Sequence, residues 1–406
     1  MKPFAVVGGV YRERCRLPLR SDETWGSGGR AAAVIAGLGL KVVLHSAVDD
    51  RNLPILESQA EIFQYETAIT KVKTSPEFRY VHGLSTPVIW PPAVSETVVL
   101  SVQAETALVF GMLEANSKVR AKRIVYDPQN PLSPQPIRLE SPGARLAYVL
   151  NGVEARALSG VADSLQAAVW IAKELGAEII VIKQGPRGAL VYEKGNVDRI
   201  PAYRTDSVWP IGSGDVFAAV FAARWAGQGA TAQDAAVQAS KAAALYCNSR
   251  VLPISNEELA ATNVFPFRKL TMSAEALKDD QFHIYLAGPF FNIGQRWLVE
   301  ESLGAFHAMG LRVFSPLHEI GLGDGHEVAP RDLDGLRRSR TVFGLVDGLD
   351  SGTIFELGYA RSLQRPVVVL AECASEESLK MVTGTGCDVV SDFVSAIYRA
   401  AWIAQE

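Results

Sequence analysis

Short runs of β-branched and apolar residues alternate along the chain with alanine-rich stretches, the pattern of strands and helices layered around a largely parallel sheet. Phe4–Val7, Lys41–His45, Arg123–Tyr126, Ala147–Leu150 and Glu178–Ile182 read as buried strands. Ala167–Leu175 and Ala232–Cys247 read as helices, and Thr231 with Asp234 three residues on makes an amino-terminal cap for the second. The rhythm breaks over residues 256–281, which read as a linker between a domain at 1–255 and another at 282–406. It restarts with a strand at His283–Ala287, a helix near Gln295–Met309 and a strand at Arg312–Phe314. A polar, glycine-rich loop follows at Leu317–Pro330, then a strand at Val342–Val346, a helix over about Thr353–Leu363 and a strand at Pro366–Leu370. That is enough for an independent small parallel sheet.

Length supports the division, because 406 residues exceed what one core ordinarily organises. With 48% hydrophobic and 21% charged residues the chain has the balance of a soluble globular protein. A net charge of −4 argues against a nucleic-acid or anionic-membrane partner. No apolar run approaches the roughly 18 residues of a membrane span, and the first residues do not read as a signal peptide. Cys15, Cys247, Cys373 and Cys387 form no CxxC pair or Cys/His cluster, so reduced thiols and a cytoplasmic location are expected.

Three segments of the second domain carry candidate chemistry. The run IYLAGPFF (Ile284–Phe291) is a strand entering a Gly288-Pro289 turn, where an open parallel sheet places its ligands. RDLDGLRRS (Arg331–Ser339) reads as an acidic pair opening a helix, and DGLDSGTIFELGYA (Asp347–Ala360) places Glu356 in a first helical turn. An ionised carboxylate suits the loss of a nucleobase, which leaves positive charge on the sugar for it to stabilise or bond. A second acid, Asp350 or Asp332, binds sugar hydroxyls or handles protons. The same residues also fit plain architecture: Thr353-x-x-Glu356 makes a capping box, and Asp332 and Asp334 make dipole-favoured first-turn acids.

Together these segments resemble the nucleoside 2-deoxyribosyltransferase family over nearly all of 282–406. The resemblance implies a flavodoxin-like fold, Glu356 as nucleophile, Asp332 and Asp350 in support, and Tyr285, Gly288 and Phe291 at the substrate. It also implies a homo-oligomer and no cofactor in this domain. It extends to hydrolases of deoxynucleoside 5′-monophosphates, for which Arg296, Arg337 and Arg338 are candidate phosphate partners.

In the first domain Gly212-Ser213-Gly214-Asp215 opens an apolar helix. Paired glycines there let amides point at an anion, and an aspartate can take a proton from an attacking hydroxyl during phosphoryl transfer. A tight turn with a dipole-favoured acid is the plainer reading. The run resembles the G-A-G-D signature of ribokinase-like (PfkB) kinases over about residues 1–253. Gly28-Gly29, YDPQNP (Tyr126–Pro131), NGVEA (Asn151–Ala155) and VIKQGPRGALVY (Val181–Tyr192) add to it. The resemblance implies an α/β/α sandwich, ATP and Mg2+, Asp215 as base, and Gly212, Ser213 and Gly214 at phosphate. It makes Asn151 and Glu154 organise the metal, and Glu13 grip sugar hydroxyls. The chain departs from the family at Trp209-Pro210-Ile211 in place of Asp-Thr, at Ala33 in place of an Asn, and at Lys183 in place of a Thr. The expected whole is a nucleoside or nucleotide salvage enzyme, or a non-catalytic nucleotide sensor, with a small-molecule ligand in either case.

Overall fold

The computed structural model describes residues 2–92, 97–130, 133–138, 140–261, 268–270 and 277–406. The chain divides into two compact units, Met1–Lys269 and Leu270–Glu406.

The main sheet of the first unit runs in the order Asn196–Ile200, Ala189–Glu193, Ile179–Lys183, Arg145–Asn151, Arg123–Asp127, Thr106–Phe110, Phe4–Val7, Val42–Val48, Glu66–Lys71. From Ile179–Lys183 onward every pairing is parallel, and the first two strands join as an antiparallel hairpin. Strand side chains alternate between faces, so Phe4 and Val6 meet the helices Gly26–Gly37, Ser213–Ala222 and Ala232–Ser249. Ala5 and Val7 meet the opposite layer, with Gly152–Ser159 and Ser164–Leu175. This is a ribokinase-like α/β/α sandwich. A separate sheet of Ser21–Thr24, Arg12–Cys15, Glu77–Tyr80 and Val88–Trp90 carries Glu13.

The second unit has an all-parallel sheet in the order Val313–Phe314, Phe282–Ala287, Ser339–Leu345, Val367–Leu370, Asp388–Val390. Numbered along the chain this is 2-1-3-4-5, the flavodoxin-like order. The helices Gly325–Arg337 and Ser351–Ser362 bury Leu336, Leu357 and Ala360 against Tyr285 and Val342. On the other face Phe306 of the helix Ile293–Ala308 meets Phe343 edge-on at 5.2 Å.

Two expectations change. The segment read as a linker opens with a helix, Asn256–Ala261, whose Leu259 belongs to the core of the first unit. Parts of that segment, 262–267 and 271–276, and Pro131 of the YDPQNP run, lie outside the described residues. The polar stretch at 317–330 is not a loop throughout: Pro316–Glu319 and Gly325–Arg337 are helical, the second capped by Asp324.

Phe306 and Phe343 are fully buried. Phe343→Ala is therefore expected to cost the second unit about 3–5 kcal/mol of unfolding free energy, measured by denaturant titration with Trp297 and Trp402 fluorescence, and a loss below ~1 kcal/mol would contradict this packing.

Candidate functional sites

In the second unit Asp350 caps the helix Ser351–Ser362, its carboxylate accepting from the backbone N–H of Thr353 at 2.8 Å and from its hydroxyl at 2.9 Å. Glu356 therefore lies in the second turn, not the first, and makes no capping box. Its carboxylate is half-buried, and its Oε1 accepts a hydrogen bond from the Tyr285 hydroxyl at 2.6 Å. Burial pushes the Glu356 carboxyl up to about 7; the Tyr285 bond works against this, and the neighbouring Asp332 and Asp350 add to it. Burial and the facing glutamate hold the Tyr285 hydroxyl far above its usual value, so it stays a neutral donor.

Asp332 does not open a helix. It sits well inside Gly325–Arg337, where the dipole gives it no support, and its Oδ1 is buried without a hydrogen-bond partner among the described residues. Burial raises its pKa. Tyr285 is a strand residue, as the reading of His283–Ala287 implied. It lies within the strand Phe282–Ala287 and stacks on Phe314 at 5.6 Å, so its hydroxyl rather than its ring reaches the site. Gly288 follows that strand, and a Cβ there would meet the Leu345 side chain at 3.0 Å. Phe291 is exposed and tilts against Phe290 at 5.3 Å. The three arginines are engaged: Arg296 donates to Phe290 O, Arg337 to the Tyr359 hydroxyl, and Arg338 pairs with Asp334.

In the first unit a cleft of about 1500 Å³ is lined by Glu13, Gln129, Glu154, Lys183, Gly214 and Asp215. Gly212 caps the helix Ser213–Ala222 at φ 83°, and a Cβ there would strike the Arg30 guanidinium at 2.2 Å. Ser213 is spent inside the fold, its N–H and hydroxyl both donating to Pro210 O. The Asp215 and Val216 amides bond Gly212 O, so among the described residues the Gly212 and Gly214 amides are those left for an anion.

Asp215 is held from both sides. Arg30 Nη1 pairs with its Oδ2 at 2.7 Å, and Gln129 Nε2 donates to its Oδ1 at 2.6 Å. Arg30 also pairs with Glu13, and its side chain is 1% exposed. Lys183 pairs with Asp127 at 2.6 Å, and its Nζ lies 3.4 Å from where a Gly214 Cβ would stand. Asn151 and Glu154 cap Gly152–Ser159 reciprocally. Burial, with Asp127 beside it, pushes Glu154 up to about 7. The described residues contain no group of three or more His, Cys, Asp or Glu able to hold a metal. The Asn151–Glu154 pair leaves Glu154 Oε1 outside its cap bonds. That oxygen is what the pair could offer a divalent cation that brings its other ligands with it.

Sequence reasoning missed Arg30, Gln129 and the hydroxyl role of Tyr285. Arg30 left a signal: it is the lone charge in GSGGRAAAVIAG.

Both domains belong to enzyme families. The chain carries, in this order, a pfkB family carbohydrate kinase domain matched over residues 96–258 and a nucleoside 2-deoxyribosyltransferase domain matched over residues 284–387. Among solved structures, a fructokinase from Vibrio cholerae O395, in fructose-, ADP- and calcium-bound form, is 16% identical, with 64% of this chain and 98% of that chain covered at TM-score 0.51. It supports the fold alone. An aminoimidazole riboside kinase from Salmonella enterica is 14% identical over 64% of this chain and 99% of its own, TM-score 0.49. Ribokinase from Thermotoga maritima is 18% identical over 65% and 100%, TM-score 0.46. No curated protein matches the chain. Among the described residues no helix is long and apolar enough to cross a membrane.

The Tyr285 bond lowers the Glu356 pKa. Tyr285→Phe is expected to move that carboxyl above about 7, read by carbon NMR titration with Glu356→Gln to assign the signal. An unmoved titration would show that the hydroxyl does not bear on the carboxylate.

Proposed function

We propose that the second domain breaks the N-glycosidic bond of a nucleoside through Glu356, and that the first phosphorylates a sugar or nucleoside with ATP. The observation that carries the first claim is the Tyr285 hydroxyl on the Glu356 carboxylate at 2.6 Å, in the domain matched to the deoxyribosyltransferase family. A carboxylate held by one neutral donor and otherwise crowded by acids is poorly neutralised, and positive charge developing at C1′ relieves it. Glu356 bonds C1′ as the C1′–N electron pair leaves with the base. A second base, or water, then attacks C1′ and returns the carboxylate. Asp332, with its unpartnered oxygen and raised pKa, suits the proton on the departing base, whereas Asp350 is committed in part to its helix cap.

The engaged state of Arg337 and Arg338 favours a nucleoside over its 5′-monophosphate, and hence transfer over phosphate-dependent hydrolysis. In the first domain Asp215 is the base, and the Gly212 and Gly214 amides with Lys183 receive phosphate. ATP would bring the phosphoryl group, and Asn151 with Glu154 would organise a Mg2+ whose charge would offset that of the phosphates. A cytoplasmic homo-oligomer in nucleoside salvage completes the proposal. The grip of Arg30 and Gln129 on Asp215 favours one further reading, a first domain that binds nucleotide without turnover.

Incubation with deoxynucleosides and their 5′-monophosphates, with and without an acceptor base, tests the second domain. Glu356→Gln should lower base release by about 10³-fold or more, and a variant as active as wild type would end the assignment. The nucleophile acts ionised, so wild-type kcat/KM should rise with pH through about 7. Asp332 contributes to the raised value, so Asp332→Asn should move that rise to lower pH. For the first domain, Asp215→Asn should abolish ATP-dependent phosphorylation across a sugar and nucleoside panel.

A further inference from the structure

We infer that Gln129 is a positioning residue that occupies, on Asp215, the place of the acceptor hydroxyl, so that the base is released only when an acceptor displaces the amide. The inference rests on the reading of Asp215 as the base.

The two contacts on the Asp215 carboxylate differ in kind. Arg30 reaches Oδ2 from within the protein; its side chain is 1% exposed and its other terminal nitrogen is tied to Glu13. Gln129 reaches Oδ1 from the other side, and both Gln129 and Asp215 line the cleft. A hydrogen-bond donor at 2.6 Å from that oxygen, within the cleft, stands where a hydroxyl must stand to give up its proton.

Gln129 is also the uncharged donor of the pair, which a neutral hydroxyl can replace like for like. Its backbone sits at φ 50°, a left-handed conformation that side chains larger than asparagine adopt at a cost. Its N–H contact with Asp127 Oδ1 is long, 3.3 Å, while Asp127 itself is fixed by Lys183 at 2.6 Å. The network Lys183–Asp127–Gln129–Asp215–Arg30–Glu13 is therefore anchored by ion pairs at both ends, with Gln129 its uncharged link and the Gln129–Asp127 contact its longest. An acceptor hydroxyl replaces one donor on Asp215 with another at small net change. Water competes for the same place without the remaining contacts of a sugar. The amide thus guards against wasteful hydrolysis, in which water attacks the γ-phosphorus and loses its proton to Asp215. The γ-phosphorus–oxygen bond breaks in that step, and its electron pair leaves on ADP.

The test uses the full chain with MgATP and no acceptor, following ADP, together with ATP binding by calorimetry. Gln129→Gly removes the amide and suits the left-handed backbone. It should raise hydrolysis at least tenfold, leave the ATP dissociation constant within about twofold, and lose the gain when Asp215→Asn is added. A variant that binds ATP as wild type does but hydrolyses it no faster overturns the inference. So does a gain that survives Asp215→Asn. A wild-type chain that binds no ATP removes the kinase reading itself, and this inference with it.

Discussion

Parallel pairing is the constraint on which both sites depend, because it delivers the carboxyl ends of neighbouring strands to one edge. In the first unit Asp127, Asn151 and Lys183 are the last residues of three adjacent parallel strands, and Asn151 and Lys183 stand directly opposite in register. Their polar side chains follow three or more apolar strand residues in each case, so the sheet stays dry while its edge carries charge. In the second unit Tyr285 pairs in register with Val342, and the chain leaving that second strand turns into the helix that bears Glu356. Seventy-one residues separate the two partners along the chain, yet one strand spacing and one turn bring them to 2.6 Å.

Energetically, burial works against ionised acids in both units, at Glu154 as at Glu356. Burial pushes Glu356 up to about 7 from the ordinary 4.5, so the folded state resists its ionisation. The group's contribution to stability is greatest below about 4.5 and declines as pH rises to about 7, opposite in sign to an ion-paired carboxylate. Asp332 adds to this, since a mid-helix acid gains nothing from the helix amino terminus and leaves an oxygen unpartnered. Such costs persist where surrounding packing outweighs them, and here Phe314, Leu336 and Leu357 supply that packing.

Much of the fold was legible because strands buried on both faces read as unbroken apolar runs. Phe4–Val7 matches its sequence reading to the residue, and the cap from Thr231 to Asp234 is present. The helix Gly325–Arg337 was misread because Gly321, Gly323, Gly325 and Pro330 all signal irregular chain, while Asp324 supplies the cap that overrides them. The same error misplaced Asp332 in a first turn. Glu356 was placed one turn early, since Asp350 and Thr353 both offered caps and the aspartate took the position. Tyr285 was read as a pocket aromatic because the sequence shows a ring and not the direction of its hydroxyl.

Arg30 marks where the sequence reading ran out for a physical reason. A guanidinium meeting Glu13 and Asp215 joins three segments separated by 17 and 185 residues, and no local pattern encodes that closure. Removing Arg30 would leave two acids facing each other in a buried site, whereas keeping it neutralises one and shares the second. Gly212 has to be glycine for the same reason, because the guanidinium occupies the space of any Cβ there. The first unit therefore restrains its acid with a buried cation and a cleft-side amide. In the second, Glu356 meets the neutral Tyr285 hydroxyl where Asp215 meets a cation, and burial is free to raise its pKa.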